Sequence, residues 1–95
     1  MRLEYTDKAV GDLIRLRQFI EEYDPPAANR MAARLVQGIA LLRDQPQLGH
    51  PVALAPDPES IRDFVLRDYV VRSAITSSCI LILRIWHHRE DWKQL

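Results

Sequence analysis

Hydrophobic and polar positions follow two regimes along the chain, a spacing of three and four as far as Leu42 and a strand-like spacing after Ser60. Arg2 to Tyr5 alternates polar and apolar residues, which predicts a short strand. Thr6 follows where an N-cap hydroxyl would accept from the first free amides of a helix. From there Val10, Leu13, Leu16, Ile20 and Tyr23 recur at helical spacing, with Asp12, Arg15, Gln18 and Glu22 assigned to the outward side. Asp24-Pro25-Pro26 is both stop and restart, because proline fits the first turn of a helix but not its interior and Asp24 can cap the next one. Ala28, Met31, Leu35, Ile39 and Leu42 then predict a second helix that turns Asn29, Arg30, Arg34, Gln37 and Arg43 outward. Joined this tightly, the two helices form an antiparallel hairpin.

Asp44 to Ser60 holds Pro46, Pro51, Pro56 and Pro58 and reads as a long ordered loop. Beyond it, Ile61 to Leu66, Tyr69 to Ile75 and Cys79 to Trp86 are rich in aromatic and β-branched residues and predict three strands. Arg67-Asp68 and Thr76-Ser77-Ser78 supply the turns between them. The last run is so continuously apolar that it is expected at the centre of the sheet, covered on both faces. Strand, helix, helix and three strands describe an α+β fold, an N-terminal strand and helical hairpin packed on an antiparallel sheet.

Composition narrows the class. A chain of 95 residues has material for one core, so residues 1–95 are expected to form a single domain. With 47% hydrophobic and 27% charged residues, it has the balance of a folded protein rather than a disordered one. One cysteine, Cys79, excludes an internal disulfide and points to a reducing compartment. The N-terminus lacks an apolar signal core and no run is long enough to span a membrane, so a cytoplasmic protein without a membrane partner is expected. Formal net charge is zero, which argues against a surface built wholly to grip nucleic acid. Basic residues outnumber acidic ones only after Ser60.

On this outline the segment Pro46-Gln47-Leu48-Gly49-His50-Pro51 resembles the P-x-L-G-x-P turn of ParE-type toxins. Arg62, Tyr69-Val70-Val71 and Ile82-Leu83-Arg84-Ile85, followed by His87, Arg89 and Asp91, fall in the order and spacing of that family. The likeness, to the ParE branch of the ParE/RelE toxin superfamily, spans nearly the whole chain. One departure is that Ser73 and Ala74 stand where relatives carry an aromatic followed by a basic residue. The resemblance implies the toxin of a bacterial type II toxin–antitoxin pair, neutralised in a hetero-oligomer by an antitoxin whose disordered tail folds along the toxin. ParE relatives poison DNA gyrase, whereas RelE relatives of the same fold cut messenger RNA on the ribosome. Fold alone does not choose between these activities.

RNA cleavage through the 2′-hydroxyl needs a base, an acid and cations at the phosphate, and His87, His88, Arg62 and Arg84 are the candidates. Against this stand the H-x-R-x-D pattern of the non-nuclease branch and the absence of a lysine-rich loop, since Lys8 and Lys93 are the only lysines. Target binding without chemistry would instead use Arg84, His87, Arg89, Trp92, Arg62 and Tyr69. Arg84 interrupts an apolar strand and must reach an edge, a ligand or a carboxylate such as Asp63 or Asp91. Trp92 is the expected exposed anchor. Histidine and carboxylate spacing near the C-terminus does not suit a metal, and no cofactor is expected. Three readings remain: a gyrase-binding toxin, an mRNA endonuclease, and a module that only binds its antitoxin.

Overall fold

The computed structural model describes residues 1–53, 55–56 and 60–90. Asp91 and Trp92, expected as a carboxylate partner and an interface anchor, lie outside the described residues. Strand β1 (Arg2–Tyr5) leads into helix α1 (Asp7–Glu21), then α2 (Pro25–Ala40), which tightens into a 3-10 turn at Leu41–Arg43. Strands β2 (His50–Pro51), β3 (Ile61–Leu66), β4 (Tyr69–Ile75) and β5 (Cys79–His87) follow. They form one sheet in the order β1-β5-β4-β3-β2. The two helices pack on it as a second layer.

Both helix starts obey the capping chemistry of the sequence. The Ala9 N–H donates to the Thr6 hydroxyl at 3.1 Å, and the Ala27 N–H donates to the Asp24 carboxylate at 3.1 Å ahead of two prolines that need no donor. In α2 the expected face is the observed one: Ala28, Leu35 and Ile39 are buried, with Leu42 just beyond. Each large side chain among them stabilises the fold by about 1.5–3 kcal/mol through burial.

Helix α1 is rotated from the expected phase. Val10 and Tyr23 are exposed, while Ala9, Asp12 and Leu16 form the buried row. Asp12, assigned to solvent on its charge, is only 4% exposed. The reason is an ion pair with Arg84, which removes the usual cost of burying a carboxylate.

Two expectations about the sheet also change. The Asp44–Ser60 segment is not loop throughout, because His50–Pro51 adds an edge strand to β3. Strand β5 is interior but not in the middle, a place taken by β4, and its partner β1 runs parallel to it in an otherwise antiparallel sheet. The turn containing Gly49 explains how the short edge strand reaches β3. Gly49 has φ +92°, and a Cβ there would lie 2.8 Å from the Asp63 carbonyl carbon and 3.0 Å from Phe64 Cα. Only glycine permits both the left-handed backbone and that approach.

Between Arg72 and Ser73 the β4–β5 register shifts: Arg72 faces Arg84, but Ser73 faces Ile82, leaving Leu83 as an extra residue in β5. Ile80, Ile82 and Ile85 are all fully buried as a result, in a two-then-three spacing that strict alternation would not produce. They join Val71, Leu16, Leu35, Ile39 and Leu42 in one core.

Candidate functional site

Strand β1 covers β5 only from Cys79 to Ile82, so the backbone groups after Ile82 face an open edge on that side. Unpaired strand groups are costly when buried, and here α1 supplies the missing partners. The Thr6 N–H donates to the Ile82 carbonyl at 3.0 Å, and the Thr6 hydroxyl donates to the Leu83 carbonyl at 3.0 Å. One turn later the Ile85 N–H donates to Asp12 Oδ2 at 2.8 Å, and Arg15 donates to the Ile85 carbonyl at 3.4 Å. Finally the His87 N–H donates to Glu90 Oε1 at 2.8 Å.

Arg84 belongs to this seal. Its Nε donates to Asp12 Oδ2 at 2.9 Å and its Nη2 to Asp12 Oδ1 at 3.1 Å. Burial alone would raise the Asp12 carboxyl, but the hydrogen bonds from Arg84 and the Ile85 N–H outweigh it and hold the group below its ordinary value. The same bonds raise Arg84, so the pair is ionised throughout the physiological range. Of the carboxylates expected to serve Arg84, Asp63 instead holds Arg72, at 2.8 and 2.9 Å.

Beyond the seal a cleft of about 700 Å³ opens between the end of α1, the start of β4 and the end of β5. Leu16, Phe19 and Ile20 form its apolar wall, and Arg15, Arg89, Glu90, Tyr69 and His87 surround it. Arg15 and Glu90 pair across it. Tyr69 and His87 face each other in the β4–β5 register, their rings edge to face with centroids 5.3 Å apart. The Arg89 N–H donates to His87 Nδ1 at 3.1 Å, which leaves Nε2 as the nitrogen able to meet a ligand. Burial first, and then the charges of Asp68 and Glu90, push the Tyr69 phenol up, so it stays a neutral donor at pH 7.

Tyr69, His87 and Arg89, named from the sequence, therefore meet at one cleft. Arg84 lies beside it, bound to Asp12. His88 is exposed, with Nε2 3.6 Å from Asp68 Oδ1. Arg62 sits toward the other end of β3, donating to the Gly49 carbonyl at 3.1 Å. Among the described residues no group of His, Cys, Asp and Glu side chains could hold a metal ion. No helix among them is long and apolar enough to cross a membrane. Sequence reasoning missed Arg15, Phe19 and Asp12. The row Ala9, Asp12, Leu16 at spacings of three and four, together with an arginine inside an apolar strand that needs a carboxylate, is the signal that finds them.

Residues 3–92 match the family described as the ParE toxin of the type II toxin–antitoxin system parDE. The chain belongs to that family. It is 30% identical over 96 residues to the putative toxin Y4kP of Sinorhizobium fredii, covering 99% of this chain and 95% of that one. Toxin RelE2 of Caulobacter vibrioides is 34% identical over 83 residues, covering 87% and 90%. Among solved structures, the chromosomal ParDE system from P. aeruginosa superposes with a TM-score of 0.80 at 23% identity, covering 92% of this chain and 95% of that one. The RelBE2 toxin–antitoxin complex of Mycobacterium tuberculosis gives 0.68 at 22%, covering 94% and 92%. These two likenesses establish the shared fold of a helical pair on a mostly antiparallel sheet. The ParE-type protein described here is the toxin of a type II toxin–antitoxin system.

Proposed function

We propose that this toxin acts in the cytoplasm by binding a protein target, DNA gyrase, without breaking a bond itself, and that a cognate antitoxin neutralises it. The observation that supports this reading is the engagement of Arg84. An mRNA nuclease of this fold would need that cation at the scissile phosphate, yet both its Nε and Nη2 donate to Asp12. Arg62 is at the far end of β3 from the cleft, donating to the Gly49 carbonyl. What remains at the cleft is an apolar wall with the exposed ring of Phe19, ringed by Arg15, Arg89 and Tyr69, which suits a protein surface better than a ribose-phosphate. Tyr69, His87 and Arg89 would make the polar contacts to the target.

The test is a gyrase supercoiling and cleavage assay with the purified toxin, run beside transcript mapping in cells after induction. Accumulated cleaved DNA is the expected result. Cuts positioned by codon in translated messages, with gyrase unaffected, would replace this reading with the second one, a ribosome-dependent mRNA endonuclease. The 34% identity to the Caulobacter toxin RelE2 favours that second reading. A chain that is not toxic on expression would be an antitoxin-binding module only. A short neighbouring gene encoding a DNA-binding half and a polar tail is expected for the antitoxin.

A further inference from the structure

Strand β5 loses its neighbours where it ends. His87 faces Tyr69, the first residue of β4, and β1 pairs with β5 only as far as Ile82, so among the described residues no strand pairs with residues 88–90. A chain end released in this way frays unless other bonds hold it. Here residues 87–90 close into a turn, in which the Glu90 N–H donates to the His87 carbonyl at 2.9 Å. The His88 N–H donates to the Asp68 carbonyl at 2.8 Å, which fastens this turn to the one between β3 and β4. Glu90 supplies two more ties, one through each carboxylate oxygen. Its Oε1 accepts from the His87 N–H at 2.8 Å, and its Oε2 accepts from Arg15 Nη1. One side chain thus closes the turn on itself and anchors it to α1. Within that turn stands Arg89, which is exposed, lines the cleft and has no side-chain partner among the described residues.

We propose that Glu90 is a positioning residue for the target contact, its carboxylate holding the 87–90 turn against α1 so that Arg89 meets the target already oriented. This rests on the reading of the cleft as the target-binding surface. A long side chain on a loose chain end must be ordered at the moment of association, and a turn ordered beforehand removes part of that cost. The anchor is itself well held. Arg15 donates to Asp12 Oδ1 and to the Ile85 carbonyl, both at 3.4 Å, and Asp12 accepts from Arg84. Charges therefore alternate along Arg84, Asp12, Arg15 and Glu90, from an interior strand out to the cleft. Glu90 is the outermost member, with its side chain 27% exposed. An ion pair this open contributes little to global stability, so its effect is confined to the turn it closes.

The experiment compares the full-length toxin with Glu90→Ala, Glu90→Gln, Arg89→Ala and the double variant Glu90→Ala/Arg89→Ala. Glu21→Gln is the control, since it removes the ion pair with Arg17 at the exposed end of the same helix. Gyrase supercoiling, thermal melts and backbone amide heteronuclear NOE are measured on each. Glu90→Ala should weaken inhibition by about fivefold to tenfold, Glu90→Gln by less because its amide oxygen still accepts from the His87 N–H, and Glu21→Gln not at all. Melting temperatures should stay within about 5 °C of wild type. In the Arg89→Ala background, adding Glu90→Ala should change inhibition by less than about twofold, because Glu90 acts through Arg89. NOE values over residues 87–90 should match those of β4 in wild type and fall in Glu90→Ala. Equal losses from Glu90→Ala in both backgrounds would make Glu90 a direct contact and overturn the positioning role. Unchanged NOE values, or a melt lowered by more than about 10 °C, would overturn it too. A wild type that leaves gyrase untouched overturns the target reading instead; the same cycle is then read as growth arrest after induction, where additive losses count against the positioning role whatever the target.

Discussion

Replacing Asp12 tests whether the ion pair at the end of β5 holds the fold. Asp12→Ala leaves the Arg84 guanidinium, whose side chain is 24% exposed, without its carboxylate, and leaves the Ile85 N–H without an acceptor. Removing one member of a buried pair costs about 3–5 kcal/mol, and the partial access of Arg84 to water places this site near the lower end, at about 3 kcal/mol. In a domain of this size each kcal/mol is worth about 4–8 °C, so the melting temperature should fall by about 12–24 °C. The pH dependence has a definite sign. Because the folded state holds Asp12 below the ordinary 3.8, its contribution is complete above that value and is lost as pH falls through the depressed one. Urea unfolding of wild type and Asp12→Asn should therefore show a gap that is constant from neutral pH to about pH 5 and closes below about pH 4. A double-mutant cycle of Asp12→Ala with Arg84→Ala should give a coupling above about 1 kcal/mol. Coupling below about 0.5 kcal/mol, or a gap unchanged to pH 2, would refute the assignment of Arg84 to the fold.

Gly49→Ala should cost at least about 2 kcal/mol in chemical denaturation, since it combines a positive φ with a clash against the β3 backbone; a loss under about 0.5 kcal/mol would contradict that geometry. Ser73 is fully buried and, among the described residues, its hydroxyl has no hydrogen-bond partner, so Ser73→Ala should leave stability unchanged or raise it by about 1 kcal/mol, read as a higher melting temperature. Phe19 is 69% exposed, so Phe19→Ala combined with Arg89→Ala should shift the melt little yet weaken gyrase inhibition by about tenfold in a supercoiling assay. Full inhibition by that double variant would remove the cleft from the target interface.

Helix α2 was legible because its apolar and charged residues separate cleanly, so that Ala28, Leu35 and Ile39 could face only one way. Helix α1 was not, because apolar residues lie all round it. Val10, Ile14 and Phe19 are exposed and a carboxylate is buried, an inversion that depends on a partner seventy-two positions away in β5. No local pattern contains that fact. The strands were readable from their β-branched runs and the turns from Arg67-Asp68 and Thr76-Ser77-Ser78. The two-residue strand β2 was hidden, since a proline-bearing stretch that short has no periodicity to detect, and Gly49 announced only a turn. Tyr69, His87 and Arg89 were found because the start of β4 lies beside the end of β5 in the hairpin, whereas Arg15 and Phe19 became part of the cleft only when α1 took its true rotation.

The extra residue at Leu83 divides β5 into two parts held by different means. Up to Ile82 the strand is gripped by main chain on both sides, by β1 and by β4, and almost any side chain compatible with the core would preserve it. After the bulge its β1-facing edge is held by the side chains of Thr6, Asp12 and Arg15. Substitutions before the bulge are thus buffered by main-chain pairing on both edges, whereas beyond it the sheet stays closed only while the side chains of α1 keep reaching the strand.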